Sequence, residues 1–307
     1  MWERIVAFFM SIIAFFAGLF GIDMEGNSDY VYKNLAYGSH ERQIMDLYLP
    51  EENDGEVGLV LMIHGGAWIA GDKDAYKDAI KTACNDLGYA AAAINYRYLS
   101  EDVDMHDIID DIGASLSKIK ETAAGKGITI NKVLLSGSSA GAHLSMLYAY
   151  SEKETAPITP AAVVSYCGPT DLTDENYYYN SLLGMNSELG DYEWIAKLFS
   201  FACGQDFDYA GRAGAIEALK AVSPLYYVDE NTVPTVINHG EKDTIVPYSN
   251  ATAIVEKFKQ CGVAYDFNSY PNSGHELGND TENAQVADDL LYEYLMTYLG
   301  REATAKW

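Results

Sequence analysis

The feature that most constrains the fold is a repeated alternation of short apolar runs and amphipathic stretches between residues 57 and 299. Val57–Ile63 is continuously apolar, as expected of a strand buried on both faces of a sheet. Asp104–Thr122 carries isoleucines and a leucine along one side at helical spacing. Repeated strand–helix units predict an α/β domain with a mainly parallel central sheet flanked by helices.

Two strands, joined by turn-prone residues 38–40, are predicted before this pattern begins. The predicted strands are Val31–Tyr37, Gln43–Leu49, Val57–Ile63, Tyr89–Ile94, Lys132–Ser136, Ala161–Cys167, Pro234–His239 and Ala264–Tyr270. The predicted helices are Asp74–Leu87, Asp104–Thr122, Ala140–Tyr150, Ser249–Cys261 and Asn283–Leu299. Residues 170–233 are too many for a strand–helix connection. We therefore expect a small helical cap insertion above the carboxyl edge of the sheet, within one domain spanning residues 23–307.

Charge excludes some classes of partner. The 307-residue chain has 45 acidic and 20 basic residues, a formal net charge of −25. Without a basic stripe, nucleic-acid binding and docking on anionic lipid are disfavoured. The four cysteines are scattered and form no C-x-x-C pair, a spacing that suits neither a zinc site nor a disulfide scaffold.

The first 22 residues form a separate apolar segment. Residues 5–22 carry no charge, which is near the lower limit for spanning a bilayer. Arg4 precedes the segment and acidic residues follow it, a bias that places the body of the protein outside the membrane. We expect a membrane anchor or a secretory signal, hence an extracytoplasmic location; an apolar helix over the mouth of the site, in a cytoplasmic protein, is the alternative.

The motif G-x-S-x-G occurs at residues 137–141, between a predicted strand and a predicted helix. This context is typical of a nucleophile elbow, in which a strained turn presents a serine at the amino end of a helix. The helix dipole there favours developing negative charge. Ser139 is therefore the predicted nucleophile.

A serine nucleophile needs a histidine base and an acid that orients it, in the chain order serine, acid, histidine. Of six histidines, His275 alone follows the serine on a separate loop after a strand. Asp243 lies in the loop after the preceding strand and is the predicted acid. Its rivals are less suitable, because Asp266 lies inside a strand and Asp171 one strand too early.

A glycine-containing loop at another strand end supplies the fourth part of the predicted site. Backbone N–H groups of Gly65, Gly66 and Ala67, with that of Ala140, are expected to form an oxyanion hole. His64 is expected to brace the loop rather than to titrate. Trp68 and Ser138 are candidate substrate-binding residues beside it.

These four motifs together resemble the esterase/lipase branch of the α/β hydrolases. HGGAW at 64–68, GSSAG at 137–141, HGEKDTIVP at 239–247 and SGH at 273–275 are similar to the bifunctional feruloyl and acetyl xylan esterase-like group, a relative of hormone-sensitive lipase and kynurenine formamidase. The resemblance implies the α/β-hydrolase fold and the same triad. The loop departs from the HGGG form, and Ser138 stands where many lipase-like members carry Asp or Glu.

The predicted activity is hydrolysis of short-chain acyl esters through an acyl-enzyme, with no metal or organic cofactor. Acetyl or feruloyl esters on plant polysaccharide are the preferred substrates, partly from the resemblance. Aromatic residues of the insertion could stack on sugar rings or form the insertion's own core. A formamidase or amidase using the same triad is one alternative, and a non-catalytic adhesion or scaffold protein is another.

Overall fold

A single eight-stranded sheet runs through residues 29–179 and 192–300, the part of the chain that this computed structural model describes. The order of the strands is β1-β2-β4-β3-β5-β6-β7-β8. The strands are β1 (Val31–Ala36), β2 (Ile44–Tyr48), β3 (Leu59–Ile63), β4 (Ala90–Ile94), β5 (Lys132–Ser138), β6 (Thr159–Tyr166), β7 (Thr235–Gly240) and β8 (Tyr265–Tyr270). Strands β1 and β2 are antiparallel, and the other six are parallel to one another. The predicted fold class is confirmed.

The helices connect the parallel strands and cover the sheet. They are α1 (Lys77–Asn85), α2 (Met105–Ala124), α3 (Ala140–Ser151), α4 (Asn176–Tyr179), α5 (Glu193–Cys203), α6 (Ile216–Ala221), α7 (Ser249–Cys261) and α8 (Thr281–Tyr294), which continues as a π-helix over Leu295–Leu299. Short 3-10 helices lie at Lys73–Tyr76, Arg212–Ala215 and Pro224–Tyr227. None of the helices in the described ranges is long and apolar enough to cross a bilayer. The predicted segment 5–22 lies outside those ranges.

Both faces of the sheet are buried, as the continuous apolar run of β3 predicts. Leu59 and Leu61 point into the larger hydrophobic cluster, with the apolar side of α2. Val60 and Met62 point the opposite way, into a second cluster that includes residues of α1 and of the π-helix. Alternate residues of one strand therefore serve two layers of helices, and the carboxyl ends of β3, β5, β6, β7 and β8 share one edge.

The connection between β6 and β7 holds helices α4, α5 and α6. Tyr177 and Phe199 pack edge to face in its interior, with ring centroids 5.2 Å apart, and both are buried. These two aromatic side chains therefore belong to the insertion's own core. The side chains of Tyr178 and Tyr179, also considered for sugar stacking, lie outside the described part of the structure.

Candidate active site

Ser139 lies in the turn between β5 and α3, with backbone angles φ 53° and ψ −122°. A residue with a side chain adopts such a positive φ at a cost of about 1–3 kcal/mol, and it persists only where the surroundings enforce it. The Ser139 N–H donates to the carbonyl of Tyr166 at the end of β6 over 2.8 Å, which holds the turn against the sheet. The strand-to-helix elbow predicted for Ser139 is present.

The two glycines of the motif are required by the carbonyl oxygen of Ile63 at the end of β3. A Cβ added at Gly141 would lie 1.9 Å from that oxygen, and one at Gly137 would lie 2.5 Å from it. Contacts below 3.0 Å force the backbone to move. The close approach of α3 to β3 thus explains why small residues flank the serine two positions away on either side.

Asp243 and His275 are in direct contact. His275 lies in the loop after β8, and its Nδ1 donates to Asp243 Oδ2 in the loop after β7 over 2.7 Å. The backbone N–H groups of Ile245 and Val246 donate to the other carboxylate oxygen, at 2.8 and 2.9 Å. Both side chains are almost fully buried. This arrangement fixes the orientation of the imidazole, and no residue of the described ranges is hydrogen-bonded to its Nε2.

Burial and the ion partner act in opposite directions on both pKa values. Burial alone lowers the pKa of His275, but the charge and hydrogen bond of Asp243 outweigh it, so that this pKa is raised above 6.5. Burial alone raises the pKa of Asp243, but His275 and the other donors outweigh it, and this pKa is lowered. The carboxylate therefore stays ionised and stabilises a protonated His275.

Two further side chains lie behind the carboxylate. Atoms of Cys167, His239 and Asp243 lie within 4.8 Å of one another, the one candidate metal-binding cluster in the described ranges. His239 Nε2 donates to the Val246 carbonyl over 3.0 Å and lies 3.4 Å from Asp243 Oδ2. Burial and the Asp243 charge raise the pKa of the Cys167 thiol. Because Asp243 Oδ2 is already hydrogen-bonded to His275, we interpret Cys167 and His239 as side chains that pack around this carboxylate rather than as metal ligands.

The loops that carry Asp243 and His275 are themselves joined. Lys242 N–H donates to the Ser273 carbonyl over 3.0 Å, and the Ser273 hydroxyl donates to Asp280 over 2.6 Å. A Cβ at Gly240 would lie 2.2 Å from the Gly274 carbonyl oxygen. This close backbone contact holds the loop that carries Asp243 against the loop that carries His275.

The loop 64–71 lies against the elbow. A Cβ at Gly65 would lie 2.8 Å from the Ser138 carbonyl oxygen and 3.3 Å from Ser139 Cβ. Within the described ranges, the N–H groups of Gly65, Gly66, Ala67 and Ala140 donate to no backbone carbonyl outside the regular elements. Ala140 is the first residue of α3, and the first N–H groups of a helix have no intrahelical partner. Since buried donors normally have a partner, four such groups without one are what an oxyanion hole requires.

His64 is buried and bonded on both ring nitrogens. Its Nδ1 lies 2.8 Å from the Gly65 carbonyl, and its Nε2 lies 3.1 Å from Arg42 Nη2. Burial, with the Arg42 charge, lowers the pKa of His64 to about 4. A neutral imidazole held in this way braces the loop, in line with the sequence-based interpretation.

Trp68 lies inside the protein, with 3 % of its surface exposed. Its indole N–H donates to His143 Nδ1 over 3.2 Å, and His143 Nε2 donates to the Val222 carbonyl over 2.8 Å. Trp68 thus links the loop 64–71 to helix α3, which follows Ser139, and to the end of the insertion. These contacts show that Trp68 supports the loop. Its direct contact with substrate stays a prediction.

The structure brings the three predicted triad residues to one edge of the sheet, but it does not form every hydrogen bond that a triad requires. Ser139 bonds to Tyr166, and the next residue, Cys167, packs against Asp243. Within the described ranges, no hydrogen bond joins the Ser139 hydroxyl to His275. Such catalytic contacts are often long in unliganded enzymes and tighten with substrate. The rivals point elsewhere: Asp266 accepts from Tyr294 and Asp171 from Thr173.

Sequence reasoning did not find the partners of two site residues. Tyr76 donates to Ser138 Oγ over 3.1 Å, from 62 residues away in the chain. The Trp68–His143 contact joins residues 75 apart. Only the fold brings these groups together, since no local pattern pairs them.

The parallel sheet, the elbow and the edge-mounted acid and histidine define an α/β hydrolase. A family profile described as BD-FAE matches residues 45–258. The chain belongs to this family of α/β-hydrolase esterases.

Curated relatives carry esterase names. The chain is 25% identical over 287 residues to "Esterase LipQ" of Mycobacterium tuberculosis, covering 89% of this chain and 64% of the relative. It is 31% identical over 118 residues to "Probable isoprenylcysteine alpha-carbonyl methylesterase ICMEL2" of Arabidopsis thaliana, covering 38% of this chain and 28% of the relative. The chain thus spans less than two thirds of either relative's length.

Solved structures share the fold at low identity. A "truncated form of carbohydrate esterase from gut microbiota" has a TM-score of 0.68 at 20% identity, covering 88% of this chain and 99% of that one. Esterase B from Lactobacillus rhamnosis has a TM-score of 0.69 at 20% identity, covering 95% of this chain and 91% of that one. At this identity the likeness concerns the fold alone.

Proposed function

We propose that the protein is a serine carboxylesterase that hydrolyses short-chain acyl esters, with Ser139, Asp243 and His275 as its triad. The observation that carries the proposal is the 2.7 Å contact between His275 and Asp243 at the same sheet edge as a serine in a strained elbow. N–H groups of the adjoining loop and helix, which have no carbonyl partner outside the regular elements of the described ranges, would supply the electrostatic stabilisation that acyl transfer requires. Esterase names among the relatives support the same reaction class.

The proposed mechanism is acyl transfer in two steps. Ser139 attacks the ester carbonyl while His275 Nε2 takes its proton, and Asp243 stabilises the imidazolium that forms. The developing oxyanion accepts from the N–H groups of Gly66 and Ala140, with Gly65 or Ala67 as a further donor. His275 then protonates the leaving alcohol, and water repeats the sequence to release the acid.

Replacing the nucleophile tests the proposal. We expect Ser139→Ala to lower kcat for p-nitrophenyl acetate by a factor on the order of 10⁶, as is found when a catalytic serine is removed. Ser151→Ala, at the far end of the same helix, is the matched control and should keep wild-type turnover. A folded Ser139→Ala variant with wild-type turnover would refute the serine mechanism.

For the substrate, we propose a small ester carried on a carbohydrate, of the acetyl or feruloyl type. A carbohydrate esterase among the similar structures and the family membership support this choice. A panel of acetyl, butyryl and feruloyl esters with N-formylkynurenine would rank the acyl groups. Preference for the formamide would replace the ester proposal by a formamidase that uses the same triad.

We also propose an extracytoplasmic location, by anchoring or secretion through residues 5–22. The support is the uncharged apolar run between Arg4 and the acidic residues that follow. Fractionation of the full chain without detergent tests this, because an uncleaved protein found wholly in the soluble fraction would contradict it.

A further inference from the structure

Two hydroxyl groups from distant parts of the chain meet beside the proposed nucleophile. Tyr76, the last residue of the 3-10 helix Lys73–Tyr76, donates through its phenol to Ser138 Oγ over 3.1 Å. Ser138 is the last residue of β5 and directly precedes Ser139. The mechanism proposed above uses neither hydroxyl.

The Ser138 hydroxyl lies against the same glycine as the nucleophile. A Cβ at Gly65 would lie 3.3 Å from Ser138 Oγ and also 3.3 Å from Ser139 Cβ. Ser138 and Ser139 are both partly exposed, whereas Gly137 and Ala140 on either side are buried. These two adjacent serines are therefore the accessible residues of the turn, and we expect an ester bound at Ser139 to lie close to Ser138.

The Ser138 hydroxyl accepts a hydrogen bond from Tyr76 but donates none within the described ranges. Burial raises the pKa of the Tyr76 phenol, so that the phenol is neutral and acts as a donor. A serine hydroxyl has one donor and two acceptor positions, and Tyr76 occupies one of the acceptors. In the described ranges no side chain or carbonyl accepts the Ser138 O–H. The hydroxyl is therefore held in place with its donor and one lone pair available.

A second phenol stands on the next strand. Tyr166 is paired with Ser138 in the register of β5 and β6, and it is partly exposed. Burial first, and then its neighbours Asp288, Tyr270 and Tyr76, raise its pKa, so that this phenol is also neutral. The groups paired with Ser138 by hydrogen bond and by strand register are thus uncharged phenols, which suit a neutral hydrogen-bonding group better than an ion.

We propose that Tyr76 and Ser138 form a subsite that binds a free hydroxyl of the substrate close to the scissile ester. Tyr76 orients Ser138, and Ser138 contacts the substrate. This inference rests on the proposed esterase function, since it concerns which esters that site prefers. A hydrophobic surface would not reject a hydroxyl strongly, whereas a site built to bond a hydroxyl discriminates against the analogue that lacks it.

Matched acetates and acyl analogues test the subsite. On the alcohol side, 2-hydroxyethyl acetate is compared with propyl acetate; on the acyl side, ethyl glycolate is compared with ethyl propionate. Each pair exchanges a hydroxyl for a methyl group. The measured quantity is the ratio of kcat/KM within a pair, which does not depend on how much of a preparation is active.

For wild type, we expect at least one pair to favour the hydroxylated ester, and that pair identifies the side. In Ser138→Ala and in Tyr76→Phe its ratio should fall about two- to tenfold, the range for one hydrogen bond between uncharged groups. The double variant should match Ser138→Ala, because Tyr76 acts through Ser138. Tyr227→Phe, whose hydroxyl donates to the Ala221 carbonyl instead, should leave the ratio at the wild-type value.

The outcomes separate the two proposals. If Ser138→Ala keeps the wild-type ratio in both pairs, or if wild type prefers neither hydroxylated ester, the subsite is refuted while the esterase stands. If folded wild type hydrolyses none of the four esters and no other ester of the acyl panel, the proposed function fails first. Additive losses in the double variant would refute the relay from Tyr76 to Ser138.

Discussion

The half of the site that holds Asp243 and His275 and the half that holds Ser139 are built in opposite ways. Asp243 accepts from His275 and from two backbone N–H groups, and its loop is joined to that of His275. Ser139 instead holds a strained backbone next to N–H groups that bond to no carbonyl outside the regular elements of the described ranges. The hydrogen bonds of the Asp243 half are therefore complete without substrate. The Ser139 half keeps N–H donors that a substrate could use.

Because of this difference, we expect the two halves to have different roles in catalysis. In the proposed mechanism, the half with Asp243 keeps one tautomer and one orientation of the imidazole before substrate binds. The half with Ser139 would stabilise the charge that develops on the substrate oxygen, because donors that are already in place need no reorganisation. Variants of the first half should therefore change proton transfer, and variants of the second should change stabilisation of the oxyanion.

The largest effect that separates the halves is expected for Asp243→Asn. The change preserves size but favours the wrong imidazole tautomer and removes the charge that stabilises protonated His275. We expect kcat to fall about 10⁴-fold, measured with p-nitrophenyl acetate. Asp266→Asn, in the rival acid on β8, is the matched control. A fall of less than tenfold in Asp243→Asn would mean that another group orients His275.

Gly65→Ala probes the other half. The added Cβ would lie 2.8 Å from the Ser138 carbonyl oxygen, so that the loop must shift away from the elbow. A displaced donor should lower kcat about 10²–10³-fold, the usual loss for one oxyanion-hole donor.

Gly214→Ala is the control for this substitution, because nothing lies within 4 Å of a Cβ at that position. Thermal melting should show that both variants fold. Wild-type kcat in a folded Gly65→Ala variant would remove this loop from the oxyanion hole.

The pH dependence reports on the first half alone. A base must be unprotonated, so kcat/KM should fall about tenfold per pH unit below the pKa of His275. Because Asp243 raises this pKa, the inflection should lie above 6.5. In Asp243→Asn it should move to lower pH, since burial then acts without the compensating charge. An inflection below 6.5 in wild type would contradict the ion pair.

The smallest effect on the rate is expected for Trp68→Phe. Phenylalanine keeps an aromatic ring but leaves the buried His143 Nδ1 without its donor. An unsatisfied buried acceptor costs about 1–3 kcal/mol of unfolding free energy, which urea denaturation measures. Val286→Ala, at an exposed site on α8, should stay within about 0.5 kcal/mol of wild type. Equal stabilities of the Trp68 variant and wild type would exclude a supporting role.

Much of the fold could be predicted because each element carries its own periodicity. Helix α7 begins and ends where the sequence pattern predicts, at Ser249 and Cys261. Strand β6 differs from its prediction, since it begins at Thr159 and stops before Cys167. Pro160 lies next to an irregularity in the register of β5 and β6, where a residue without an N–H is tolerated, and Cys167 has φ 52°.

The site was predictable as far as chain order reaches. Ser139, Asp243 and His275 each follow a strand, and they are selected by chain order together with their position in a loop after a strand. Order alone would also admit His239 as the base. The contacts of Tyr76 with Ser138 and of His143 with Val222 join residues 62 and 79 apart. Such pairs depend on how helices and insertion pack on the sheet, which no periodicity along the chain encodes.

The Ile63 carbonyl has a consequence for anyone who would remodel the enzyme. The same oxygen on a central strand lies where a Cβ would be added at Gly137 and at Gly141, so a side chain at either position would displace the same contact. A randomised library can vary Tyr76, Ser138 and the insertion to alter substrate choice. Substitutions at 137 or 141 would instead displace the backbone in most variants, so both glycines should be kept.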